Sequence, residues 1–170
     1  MRYKVTRGQN AARAGQAQLQ DHSDRSRKFQ TFEDLEVYRA ARAFRKSMYA
    51  VARRLPDFEK YDLGGQIRRA AVSLTNNMAE GHGRFHYPDQ MRFFLISRGS
   101  LEELVDDLNV CLDESYLPGE EVAELREQAR GVLILINGYL HHLRSRCATV
   151  REGDEADSEL MVALDDLLFL

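Results

Sequence analysis

The chain has 170 residues, of which 44% are hydrophobic and 30% charged, with a net charge of -3, three prolines and no tryptophan. This balance suits one domain of amphipathic helices with a core able to fold unaided. It excludes a disulfide-stapled module, since Cys111 and Cys147 form no framework, and a spanning helix, since the longest apolar run, Val132 to Ile136, stops at Asn137-Gly138. The basic first residues have no hydrophobic stretch behind them, so no secretory signal is read, and a reducing cytoplasm is the expected location.

Residues 1–30 read as a disordered basic arm. Arg2, Lys4, Arg7, Arg13, Arg25, Arg27 and Lys28 stand there against Asp21 and Asp24 alone, with few large apolar side chains. The first firm helix is expected to start near Thr31, an N-cap with Asp34 three residues on. Val37, Ala41, Phe44, Met48, Val51 and Leu55 follow in alternating four- and three-residue steps, a heptad seam, until Pro56-Asp57 ends the helix. Beside the seam runs a basic stripe, Arg39, Arg42, Lys46 and Arg53, to which Arg45 and Arg54 could add.

After a link over 58–62 comes the stretch around which the chain is organised, Gln66 to Arg84. Ile67, Ala70, Ala71, Leu74 and Met78 share one helix face, polar Arg68, Arg69, Asn76, Asn77 and Glu80 lie among them, and Gly81 and Gly83 mark the end. Pro88 opens a third helix whose seam is Phe94, Ser97, Leu101, Leu104, Leu108 and Cys111, widened by Phe93, Leu95, Ile96, Val105 and Leu112. Gly99 in its middle should cost about 1 kcal/mol relative to Ala, and close approach of a neighbouring helix is the expected compensation. The turn Tyr116-Leu117-Pro118-Gly119 leads to a fourth helix over about 120–146, with Val122, Leu125, Ala129, Val132, Ile136, Tyr139 and Leu143 as its seam.

The predicted fold is therefore all-α: an up-down-up-down four-helix bundle over 31–147, with the basic arm before it. An acidic linker and short apolar segment follow over 148–170. Glu152, Asp154, Glu155, Asp157, Glu159, Asp165 and Asp166 stand there against Arg151, and the stretch Ser158 to Leu170 is expected to be a short amphipathic helix, apolar enough to mark an interface.

Three blocks resemble a known family. They are Phe32-Glu33-Asp34-Leu35-Glu36-Val37-Tyr38; Gln66 through Ser73 with Asn77-Met78-Ala79-Glu80-Gly81-His82-Gly83-Arg84; and Phe94-Leu95-Ile96-Ser97-Arg98-Gly99-Ser100-Leu101-Glu102-Glu103-Leu104. In this order they look like the bacterial four-helix bundle proteins noticed in intervening sequences of the large ribosomal RNA gene, over about two thirds of the chain. The chain departs from the family's Ile-Pro-Ser-Asn at Leu74-Thr75-Asn76-Asn77, so no proline kink is expected there. The resemblance implies a non-enzymatic, ring-like homo-oligomer, often a pentamer. Its distant branch, the accessory proteins of diversity-generating retroelements, implies nucleic acid and a reverse transcriptase as partners.

Candidate sites follow from the residues themselves. The stripe of Arg39, Arg42, Lys46 and Arg53 can neutralise phosphates without reading bases, or be a solvated helix face. Arg68 and Arg69 can donate paired hydrogen bonds to phosphate, or one of them can pair with Glu80, Glu102 or Glu103. Arg84 is a further candidate for nucleic-acid binding, although Glu80 and Arg84 have the order for an intrahelical ion pair. Asn77 and Ser100 need a partner inside a dry seam and are expected to fix helix register; Gln66, Glu80, Gly81, Gly83 and Gly99 complete the structural motif.

Catalysis has little support in the sequence. No His has a Glu three residues before it for a di-iron bundle, and none has an Arg four to six residues ahead as in helical ribonuclease toxins. Cys111 has no activating His, and Gly81-His82-Gly83-Arg84 is no phosphate-binding loop. Neither a cofactor nor a metal is expected. The function expected is backbone binding of RNA or DNA by an accessory protein, and the alternative is a protein-interaction module without nucleic acid.

Overall fold

A computed structural model describes residues 31–151, with side chains to Ala148. The chain is all-α there: α1 (Glu36–Arg54), α2 (Leu63–His82), α3 (Tyr87–Asp113) and α4 (Gly119–Arg151), with 3-10 turns at Phe32–Asp34 and Asp57–Glu59. Successive helices pack on one another and α1 closes against α4. With links this short, that cycle of neighbours is compatible with an up-down-up-down bundle. The expected basic arm over 1–30 and the apolar end of the acidic tail lie outside the described residues.

The heptad seams form the core. In α1, Val37, Ala41, Phe44, Met48 and Val51 are buried; in α2 the same holds for Ile67, Ala70, Ala71, Leu74 and Met78. Phe94, Ser97, Leu101, Leu104, Leu108 and Cys111 face them from α3, and Val122, Leu125, Ala129, Val132, Ile136 and Leu143 from α4. Each large apolar side chain so enclosed contributes about 1.5–3 kcal/mol. Leu140, rather than half-buried Tyr139, is the deeper of its pair, and Tyr139 packs on Phe94 with ring centroids 4.4 Å apart. Ile96, expected to widen the α3 seam, is exposed.

Three expectations need correction. The Thr31–Asp34 box closes a 3-10 turn, with the Thr31 amide donating to the Asp34 carboxylate at 3.0 Å, and α1 begins only after extended Leu35. Phe32 then lies edge-on to Tyr38, centroids 4.8 Å apart, which gives the opening sequence block a packing role. The fourth helix does not stop near Arg146 but runs to Arg151, into the stretch expected to be linker. Gly99 meets nothing: a Cβ there would have no heavy atom within 4 Å, because the residue is exposed on the outer side of α3.

The close approach is at Gly81 instead. A Cβ on it would lie 3.0 Å from the Phe93 Cβ and 3.2 Å from both the Gln90 carbonyl oxygen and the Phe94 ring. Only a glycine lets α3 cross the end of α2 at this distance. Gly83 follows as an exposed cap, its amide shared between the Ala79 and Glu80 carbonyls.

Candidate nucleic-acid interface

The α1 sequence carries six cations against one carboxylate, Glu36. Its apolar seam turns inward, so the cations are distributed over the two flanks and the outer face. The flank towards α4 takes Arg54, which grips Glu121 with two hydrogen bonds of 2.5 and 2.8 Å. That pairing raises the Arg54 pKa and lowers that of Glu121, so Arg54 is committed to joining the ends of α1 and α4.

The flank towards α2 is different. Arg45 donates to the Thr75 hydroxyl at 2.7 Å, stitching α1 to α2. Lys46 and Arg53 line a hollow of about 350 Å³ with Arg45, Tyr49 and Val72. Tyr49 and Val72 also line a larger groove, about 740 Å³, whose other residues include Tyr61, Gly65, Arg68, Arg69, Ser73, Asn76 and Asn77. Two adjoining hollows over the outer faces of α1 and α2, sharing Tyr49 and Val72, thus collect Arg45, Lys46, Arg53, Arg68 and Arg69. Exposed Arg42 lies one turn before Lys46 on the same stripe.

The cations around this depression are held to different degrees. Among the described residues, Arg42, Lys46 and Arg53 make no ion pair or hydrogen bond. Arg68 donates to the Lys60 carbonyl at 2.5 Å and so ties the α1–α2 link to α2. Neither Arg68 nor Arg69 takes the carboxylates expected for them, because Glu80 pairs with Arg84 one turn on and Glu102 and Glu103 are exposed on α3. Arg69 instead lies near Asp107, whose charged form it favours.

Two of the predicted cations fall outside the depression. Arg39 donates to the Asp34 carbonyl at the start of α1. Arg84 is bound to Glu80 and lies over the Phe93 ring, 4.7 Å from its centroid.

The flank of α2 towards α3, at the edge of the groove, carries polar groups that bond one another, and two of them, Ser73 and Asn77, also line the groove. The Ser100 hydroxyl donates to that of Ser73 across the helix interface at 2.7 Å, and Asn77 donates to the Ser73 carbonyl and hydroxyl at 2.8 and 3.1 Å. Ser73 is the hub here, and sequence reading named only Asn77 and Ser100. Gln66 is exposed and takes no part.

At the lower end of the same flank, Asp107 is 5% exposed and one of its carboxylate oxygens has no hydrogen-bond partner. Burial first, then repulsion from Glu103 and Asp106, pushes its pKa up to about 6. Burial likewise pushes the Cys111 thiol up to about 11, with Asp107 and Glu59 adding to the effect, so it is no nucleophile near neutral pH. Among the described residues no cluster of three or more His, Cys, Asp or Glu could hold a metal ion, and no helix is long and apolar enough to cross a membrane.

The sequence signal that could have found the groove is the small-residue face of α2. Gly65, Val72, Ser73 and Asn76 follow at steps of seven, one and three residues, which places them on one side of the helix, and all four line the groove. Comparison with known proteins matches residues 33–138 to the model of one family, described as 23S rRNA-intervening sequence protein. That span contains every residue of the groove. No curated protein matches the chain.

Proposed function

The chain belongs to the 23S rRNA-intervening sequence protein family, and from that premise we propose that it is a non-enzymatic, homo-oligomeric accessory protein that holds RNA or DNA by its backbone along the α1–α2 groove. The observation that carries this reading is the set of cations left over after the fold is built. Arg42, Lys46 and Arg53 share one flank of α1, and no carboxylate among the described residues neutralises them. A cation without an internal partner is free to replace the counterions of a phosphate chain. The described residues lining the groove include no His, Asp or Glu to serve as a paired acid and base for hydrolysis.

The test is fluorescence anisotropy of labelled RNA and DNA against the full chain, titrated with salt. With Arg42, Lys46, Arg53 and Arg69 each meeting a phosphate, log affinity should fall against log salt with a slope of about -3 to -4. No binding at low salt overturns the proposal.

A second reading rests on α3, which carries six carboxylates against Arg92 and Arg98. Its acidic face could receive the basic flank of α1 from a second copy, making a protein-interaction module whose cations serve assembly alone. Charge reversal at Glu102 and Glu103 then dissolves the oligomer in light scattering. On the nucleic-acid reading the same change leaves binding in place.

A further inference from the structure

We infer that the α1–α2 groove takes an unpaired RNA strand, stacking bases on Tyr61 and Tyr49 while the cations hold its phosphates; this rests on the backbone-binding reading above. A surface built for duplex needs only cations, since a duplex keeps its base faces stacked inside and presents phosphates. This groove has aromatic rings set among its cations. Tyr61 is 78% exposed and Tyr49 half-buried, and among the described residues neither hydroxyl makes a hydrogen bond.

A tyrosine this exposed adds little apolar burial to the bundle. Its place, by contrast, is fixed: the Arg68 guanidinium holds the carbonyl of Lys60, the residue immediately before it, at 2.5 Å. The Lys60 ammonium sits 5.5 Å from the Tyr61 ring centroid, so a cation already lies over the ring at the mouth of the groove.

Tyr49 stands where the two hollows meet and lines both. A strand running from Tyr61 past Tyr49 therefore meets Arg68 and Arg69 first and Lys46 and Arg53 after. Asn76, exposed on the floor, offers an amide to a base edge and has no hydrogen bond among the described residues. Alternation of rings and cations along a groove is how proteins bind single strands without strong sequence preference.

The experiment compares a labelled, unstructured uridine-rich RNA with a duplex RNA of equal length, on the full chain and on Tyr61→Leu, Tyr61→Phe and Arg53→Glu. Tyr61→Leu should weaken the single strand about tenfold and leave the duplex unchanged, and Tyr61→Phe, which keeps the ring, should bind as the parent does. If both RNAs bind alike, Arg53→Glu weakens both and Tyr61→Leu weakens neither, the groove holds backbone only and the stacking inference is overturned. If neither RNA binds, the underlying backbone reading fails as well. Tyr61 is exposed and Tyr61→Leu leaves the core untouched, which an unchanged melting temperature verifies.

Discussion

The two interfaces that α2 makes, with α3 and with α1, use polar residues in opposite ways. Towards α3, Ser73, Asn77 and Ser100 bond one another and Gly81 lets the helices touch. Towards α1, one link, Arg45 to Thr75, joins the helices, and Lys46 and Arg53 are left over. Polar groups that satisfy each other specify register; polar groups with no partner inside the fold are available to something outside it. The difference between the flanks, more than any motif, separates architecture from function in this chain.

The closed flank can be broken most severely at Gly81. Gly81→Val places a branched side chain where even a Cβ would lie 3.0 Å from the Phe93 Cβ. A destabilisation of about 1–3 kcal/mol is expected, read as a lower urea midpoint at unchanged slope. An unchanged midpoint would mean that the crossing is looser than the contact distances imply.

Asp107 is the exception on the closed flank, a buried carboxyl incompletely satisfied. Its folded pKa of about 6 lies above the ordinary aspartate value of 3.8, so between those values the unfolded chain loses this proton while the folded one keeps it. Its contribution to stability is therefore most favourable below about pH 4, falls as pH rises to about 6, and is flat above. Asp107→Asn should stabilise the protein at pH 7 by on the order of 1–3 kcal/mol and change little near pH 4. Equal effects at both pH values would show that the carboxyl is solvated.

Much of the bundle was legible because its signals are local or periodic. The seams from Val37 to Leu143 follow helical spacing, and Pro56 and Pro118 punctuate them. What could not be read was anything depending on which residue of a neighbouring helix comes opposite. Sequence marks Gly81 as a helix end and Gly99 as the place of close approach, yet it is Gly81 that is pressed against Phe93 and Gly99 that faces open space. Arg53 and Arg54 are adjacent, yet 100° of helix rotation gives one a carboxylate and the other an empty groove. The stripe was visible as charge; its division into committed and free cations was not.

Removing the Ser100 hydroxyl sharpens the closed flank with a smaller effect. Ser100→Ala leaves Ser73 without its partner from α3 and should cost about 1 kcal/mol. Ser73→Ala should cost a similar amount, and the double variant less than the sum, because both remove one bond. Additive losses in the double-mutant cycle would mean the two hydroxyls act separately. Gly99→Ala, on the open outer side of α3, should instead raise stability by about 0.5–1 kcal/mol through helix propensity alone.

The smallest stability change should come from the flank proposed as functional. Lys46→Glu and Arg53→Glu break no hydrogen bond or ion pair among the described residues, so the melting temperature should move little, within about 0.5 kcal/mol of stability. The same pair should sharply weaken RNA binding and flatten its salt dependence by about two phosphate contacts. Arg45→Glu is the informative neighbour, since it severs the bond to Thr75 and should lose both stability and binding. If Lys46→Glu and Arg53→Glu instead unfold the protein, those cations belong to the architecture after all, and the contrast between the two flanks of α2 collapses. A retained fold with lost binding ties the free side chains of this bundle to a task outside it.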